Sequence, residues 1–361
     1  FSLSLVGKPF HPMPMPAIGN LLAVLLLVAL MAVHGCWRPM PIATQGFYFP
    51  PPGEAMEMQD SRRPEEVGLD AAVIERLHGT AARWALWRHG YLVNAEGDFN
   101  KTVHVASLRK TWHALTVGAA IQQGRIPSWD QKISVWERDL SGAHAEATWW
   151  HVMTQSSGFD YPYDGYPAYR PGEMWTYSDK NPLRLTNALA KVYGKAGYHD
   201  RYEDVLRQAY FDAIGMRGWA VQPRYDGAVL SLDLEDMGRL GLLVLARGRW
   251  GNEQIVPQDF VEALETKQTR GMKVNYNGPD DGTIELDLPE APYGFMTWVN
   301  TDRDVFPKAG SAWAWGSGAG GHAVYWNREL GIVLAVQGRK PGTNLPELVE
   351  AGVRGPNPLV Q

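Results

Sequence analysis

Three groups of residues in this chain have types and spacings suited to acyl transfer. Ser107 and Lys110 stand three apart in Val105-Ala106-Ser107-Leu108-Arg109-Lys110-Thr111-Trp112-His113. This stretch reads as the end of an extended segment running into a helix. Residues i and i+3 of a helix share a face, so hydroxyl and amine can meet. A serine hydroxyl is a weak nucleophile and needs a base beside it. A lysine can be that base only once it has lost its charge, which burial and nearby cations promote. Tyr177-Ser178-Asp179 then offers a phenol and a carboxylate. Finally, Trp315-Gly316-Ser317-Gly318-Ala319-Gly320-Gly321-His322 is a run of small residues entering a strand, where a substrate carbonyl can approach backbone N–H groups closely. Nucleophile, proton shuttle and oxyanion donors are what acyl transfer requires. Ser-x-x-Lys alone is better read as a helix-start serine with a solvated lysine. It is the company of the other two groups that gives it weight.

Other chemistries find less to work with. The chain has no Gly-x-Ser-x-Gly and no His-Glu-x-x-His. His144 and His151 lack Cys partners and metal-ligand spacing and read as surface or core histidines. Ser156-Ser157 and Asp280-Asp281-Gly282 read as turns. No metal and no cofactor is expected. A net charge of -5 without basic runs argues against a nucleic-acid partner.

The elements that must position these residues follow from the rest of the chain. Its 361 residues are 45% hydrophobic with 15 Trp and 15 Tyr, enough for a large core. Residues 1–36 read as an export signal, with the apolar run Leu21 to Val33 too short for a confident membrane span. The run ends at Val33-His34-Gly35-Cys36, and Cys36 is the only cysteine. Residues 37–65 are rich in Pro, Gly and Met and read as a tether or irregular arm. A helix near Gly68 to Leu77 precedes a hairpin of Trp84–Arg88 and Tyr91–Ala95 around His89-Gly90. Helical patterns fill the middle: from Lys110 to Gly124, Trp149 to Gly158, Leu183 to Tyr193, Tyr202 to Ile214, Leu232 to Ala246 and Pro257 to Leu264. Strand character returns at Gly294–Val299, His322–Trp326 and Gly331–Val336. Strands at both ends and helices between them suggest one sheet built from both ends, with a helical insertion.

The order of these motifs resembles the superfamily of class C β-lactamases, penicillin-binding proteins and related esterases. The likeness runs from about Gly68 to Arg339. Trp150-His151-Val152-Met153-Thr154-Gln155-Ser156-Ser157-Gly158 is similar to that family's HLLTHTSG segment. Pro171-Gly172-Glu173-Met174-Trp175-Thr176-Tyr177-Ser178 is similar to its PG…YSN segment, and Ser231 to Met237 to a helix start of the same family. A single cysteine after an apolar run also resembles a bacterial lipoprotein cleavage site, with Cys36 as the lipidated residue. The resemblance implies an α/β fold in the α+β sense: a β-lactamase/transpeptidase-like antiparallel sheet with flanking helices, from about 66–106 and 291–340, and an all-helical lobe over about 111–290. Together these make a serine hydrolase domain over 66–345, with 346–361 as a C-terminal tail. The resemblance makes Ser107 the nucleophile and lets Lys110 and Tyr177 share the base role. It builds the oxyanion hole from the Ser107 N–H and one N–H of the Gly318 to Gly321 strand edge. Asp179, Ser317, Gly318, Ala319, Gly320 and His322 would face substrate.

Two positions depart from the family pattern. Asp179 stands where Asn is usual, and a carboxylate cannot donate to a substrate carbonyl as an amide can. Ser317-Gly318-Ala319 stands where Lys or His, then Thr-Gly, is usual. No cation therefore occupies the place where the family holds a substrate carboxylate, unless Lys308, Arg339 or His322 supplies one. The expectation is an exported serine hydrolase, periplasmic or membrane-anchored through Cys36, acting on small neutral acyl esters or amides. An aromatic wall from Tyr161 to Trp175 and from Trp313 and Trp315 would suit such substrates. The alternatives are a β-lactamase or D-alanyl-D-alanine peptidase-type enzyme, and a degenerate cell-wall or peptide-binding protein.

Overall fold

Alternation of apolar side chains decides the sheet. In β1 (Ala81–Arg88), Trp84 and Leu86 enter one apolar cluster while Ala85 and Trp87 enter another. β12 (His322–Asn327) divides likewise, with Ala323 and Tyr325 on one side and Val324 and Trp326 on the other. So does β13 (Ile332–Arg339), with Leu334 and Val336 opposed to Val333 and Ala335. A sheet apolar on both faces must be covered on both, at about 1.5–3 kcal/mol for each large side chain buried.

The computed structural model of the chain describes residues 46–51, 54, 56, 61–159, 169–275 and 288–358. The apolar run at 21–33, Cys36, Tyr161, Tyr163, Tyr166 and the turn expected at Asp280-Asp281-Gly282 lie outside them. Among the described residues no helix is long and apolar enough to cross a membrane.

The main sheet has six strands in the order β10-β11-β12-β13-β1-β2, with β2 at Tyr91–Glu96, β10 at Trp298–Val299 and β11 at Trp313–Gly318. Every neighbouring pair is antiparallel. The two ends of the chain meet at β1 and β13, where Ala81 pairs with Arg339 and Arg88 with Ile332. One face is covered by α1 (Ala72–Leu77) and α8 (Leu345–Glu350). The other is covered by α6 (Leu234–Leu245), which packs on β1, β12 and β13, with the helical lobe beyond it.

At the centre of the lobe is α2 (Arg109–Gln122), buried without a break from Arg109 to Ala120. Around it lie α3 (Trp149–Met153), α4 (Lys180–Val192), α5 (Tyr202–Leu206) and α7 (Gln258–Leu264). A wide helical turn, Arg207–Phe211, extends α5. Three small sheets complete the domain. β3 (Val103–His104), β6 (Gly227–Leu232) and β5 (Ala220–Arg224) form one in that order. β4 (Met174–Thr176) pairs in parallel with β9 (Lys273–Asn275). β7 (Arg249–Trp250) pairs with β8 (Glu253–Gln254).

Four details differ from the sequence expectations. Gly294–Val299 is a strand only at its last two residues, because Met296 takes a left-handed conformation and its N–H bonds to Met153 of the lobe. The hairpin β5–β6 was not expected, although Asp226-Gly227 is a turn signal between two strand-like runs. Residues after 345 do not form a tail: α8 buries Leu345 and Val349, and Val353 bridges back to Leu69. The described part of the arm lies on the domain, with the Tyr48 N–H bonded to the His89 carbonyl and Trp87 Nε1 to Met56 Sδ.

Candidate active site

Ser107 sits in a single helical turn, Ala106–Leu108, between β3 and α2. Ala106 has φ +49°, a left-handed value that costs an alanine energy and persists only where surroundings enforce it. The enforcement is visible on both sides. The Val105 N–H bonds to the Leu230 carbonyl at 3.0 Å, tying the turn to β6. Gly318 at the end of β11 presses on it from the other side: a side-chain carbon there would come within 2.1 Å of the Val105 carbonyl oxygen. Glycine is therefore required where the strand passes Ser107.

Lys110 is buried and donates from Nζ to Ser107 Oγ at 3.1 Å, as the i, i+3 spacing predicts. The same Nζ lies 2.9 Å from Asp179 Oδ1 and 4.1 Å from the centroid of the Tyr177 ring. The ammonium thus rests on the face of the phenol, held by the ring's negative quadrupole and by a carboxylate. Tyr177 stacks on Trp298 and meets Tyr293 edge-on.

Tyr177 and Asp179 are placed by a brace that sequence reasoning did not assign. The Gln155 carbonyl accepts from the Thr176 N–H at 2.9 Å. Its side-chain oxygen accepts from the Ser178 N–H at 3.2 Å and from Asn181 Nδ2 at 2.9 Å. Ser157 Oγ bonds Asn181 Oδ1, and Ser156 Oγ bonds Thr154 Oγ1. Ser156 and Ser157, expected as turn residues, are fully buried and spend their hydroxyls on these bonds.

Two further residues join the cluster. Arg109, buried beside Lys110, pairs with Asp226 at 2.5 Å and stands 3.7 Å from Asp179. Asp179 occupies the N-cap position of α4, yet its side chain accepts no capping bond and turns to the two cations. Arg109 and Asp226 are 117 positions apart, and only the Asp226-Gly227 turn signal pointed toward this corner.

Ser317 and Gly318 lie at the end of β11, while Ala319 and Gly320 form an exposed turn into β12. His322 pairs with Gly318 across the two strands. Burial, together with His104 and Arg83 nearby, lowers its tendency to carry charge, so it is a poor replacement for the family's cation. Trp175, Trp313 and Trp315, expected in an aromatic wall, belong to the apolar core beside the sheet. All three are buried, and Trp175 and Trp315 pack with Trp298 behind Tyr177. A cavity of about 490 Å³ lies along the first turns of α4, lined by Glu137, Leu140, Lys180, Leu183, Arg184 and Tyr198 among others. Ser107, Lys110 and Tyr177 do not line it.

Comparison with known proteins identifies the family and the fold. The family model described as Beta-lactamase matches residues 67–353. No curated protein matches the chain. Among solved structures, a penicillin-binding protein homologue from Caulobacter crescentus superposes with a TM-score of 0.59 at 15% identity, over 78% of this chain and 96% of that one. EstCE1, described as a hydrolase with promiscuous acyltransferase activity, gives 0.58 at 14% identity, over 79% and 97%. A class C β-lactamase gives 0.58 at 15% identity, over 84% and 99%. At such identities the structural likeness speaks for the fold. With the family model covering most of the chain, and the Ser107–Lys110 pair seated between sheet and lobe, this protein belongs to the Beta-lactamase family of serine hydrolases.

Proposed function

We propose that the chain hydrolyses esters or amides of small neutral acyl substrates through an acyl-enzyme on Ser107. The observation that carries this reading is the 3.1 Å hydrogen bond from Lys110 to Ser107, in a turn pressed against the end of β11. In acylation, Ser107 Oγ bonds to the substrate carbonyl carbon as its proton passes to the Lys110–Tyr177 pair. The carbonyl electrons move onto oxygen, where the Ser107 N–H and an N–H of the Gly318 to Gly321 segment receive them. Collapse of the tetrahedral adduct expels the alkoxide or amine, which takes up the proton. Water repeats the sequence to free the acid.

Charge supports the choice of substrate. Ser317 supplies no cation, and Asp179 adds a carboxylate beside the nucleophile. An anionic β-lactam or peptide terminus meets repulsion there, and a neutral ester does not. The cellular setting we propose is outside the cytoplasm, in the periplasm or tethered to a membrane through a lipidated Cys36.

A fluorophosphonate probe followed by peptide mass spectrometry should place its adduct on Ser107. The kcat/KM for a short-chain p-nitrophenyl ester should exceed that for a chromogenic cephalosporin by about a hundredfold, or roughly 2.7 kcal/mol. An adduct on another serine removes the nucleophile assignment. Equal rates on ester and cephalosporin return the β-lactamase alternative.

A further inference from the structure

The charges around Ser107 alternate along a chain: Asp226, Arg109, Asp179, Lys110, then the hydroxyl. The separations are 2.5 Å, 3.7 Å, 2.9 Å and 3.1 Å. Each cation of this chain touches a carboxylate, and Asp179 is shared between the two. We propose that Asp179 is a positioning residue that holds Lys110 charged and aimed at Ser107, and that Arg109 and Asp226 set how firmly it does so. The inference rests on the reading of Ser107 as nucleophile and adds to it.

A carboxylate 2.9 Å from an amine favours the ammonium over the neutral form. Lys110 therefore serves as a fixed positive charge beside the Oγ where negative charge develops. The proton of Ser107 then passes to the other group at Lys110, Tyr177, once its phenol has given up its own proton and become a phenolate. Asp179 also opposes a phenolate at Tyr177 by like charge. On both counts, proton release from the cluster is harder with Asp179 than with the family's Asn. Arg109 works against this by drawing Asp179 toward itself, and Asp226 restrains Arg109.

The other titratable groups that face the cluster leave the argument intact. Tyr293, edge-on to Tyr177, is held in its neutral form by complete burial. His104 and His113, near Arg109, are both pushed toward the neutral form, chiefly by burial. Tyr198, near Asp226, is shifted upward by burial and by that carboxylate. Lys180 follows Asp179 in sequence and is exposed.

The test reads the pH dependence of fluorophosphonate labelling and of kcat/KM on a neutral ester. Asp179→Asn should move the midpoint of the rising limb down by roughly one unit or more. The paired variant Arg109→Gln/Asp226→Asn removes one charge of each sign and takes away the cation that competes with Lys110 for Asp179. Its midpoint should move up, and Asp179→Glu should stay near wild type. A role confined to holding the fold would not move two midpoints in opposite directions. An unchanged or raised midpoint in Asp179→Asn overturns the inference, as does a paired variant whose midpoint falls. If Asp179→Asn does not fold, the paired variant decides by the sign of its shift. Wild-type labelling separates the two readings. Without an adduct on Ser107 the nucleophile reading fails, whereas an adduct with immobile midpoints sinks only the role of Asp179.

Discussion

Two buried ion clusters in the lobe are built inside out from one another. Around Glu137 the anion is the buried partner: its side chain is 0% exposed, while Arg184 and Lys191 are 31% and 30% exposed. Arg184 at 2.9 Å, Lys191 at 2.6 Å and Asn187 at 2.7 Å satisfy its oxygens. Beside Ser107 the cations are buried, with Lys110 at 2% and Arg109 at 3%, while Asp179 is 29% exposed. A buried anion surrounded by donors ties α4 to the loop before α3. A buried cation with its counter-ion toward water leaves positive potential behind Ser107, where the proposed mechanism forms an oxyanion. The difference teaches which cluster is organised for rigidity and which for chemistry.

The contrast breaks first at Lys110. Lys110→Ala takes away the charge that supports proton transfer from Ser107 to Tyr177 and should lower kcat/KM for an ester by about 10²–10⁴, the range for a disabled proton-transfer step. Its melting temperature should change little, because the half-exposed Asp179 can be hydrated. A large fall in melting temperature, seen by circular dichroism, would place Lys110 with the rigid cluster.

At Glu137 the expectation reverses. Arg184→Met/Lys191→Met strands a fully buried carboxylate and should cost about 3–5 kcal/mol by chemical denaturation. Activity per folded molecule, counted by active-site titration, should stay close to wild type. Activity lost in step with neither unfolding nor titratable sites would join the two clusters functionally.

A third carboxylate gives the smallest effect. Asp236, at the start of α6, accepts from the Arg217 and Gly218 N–H groups, yet burial first and then Asp233 push it up to about 7. The folded chain therefore binds this proton more tightly than the unfolded chain does. The stability it adds is complete below about pH 4 and is lost as pH rises through about 7. Asp236→Asn should flatten the decline in stability between about pH 4 and 7 by roughly 1–3 kcal/mol. An unaltered slope in denaturation series would assign the decline to other groups, such as buried Glu265, also raised to about 7.

The legibility of these features tracks how local their signals are. Ser107 and Lys110 were readable because one helical turn brings them together, and most of the sheet because its strands stand out as short apolar runs; β11 was not read as a strand, since its glycines and serine mask it. The brace from Gln155 was not readable, since an amide in a turn resembles any polar turn residue. The pairing of Arg109 with Asp226 was hidden by sequence distance. Trp175, Trp313 and Trp315 misled for a different reason: aromatic content marks burial without saying whether the burial faces a pocket or a core.

The meeting of β1 with β13 has a consequence in time. When the β1–β2 hairpin leaves the ribosome, the edge of β1 that will bond β13 is bare. About 250 residues must still be made, which at about 5–20 residues per second means roughly 12–50 s of waiting. Throughout that interval Trp84, Leu86 and Trp87 have no sheet to enter, and an open edge of this kind invites pairing with other chains. The fold therefore closes late and all at once. A nascent chain of this design depends on being kept apart from its neighbours until its last strand arrives.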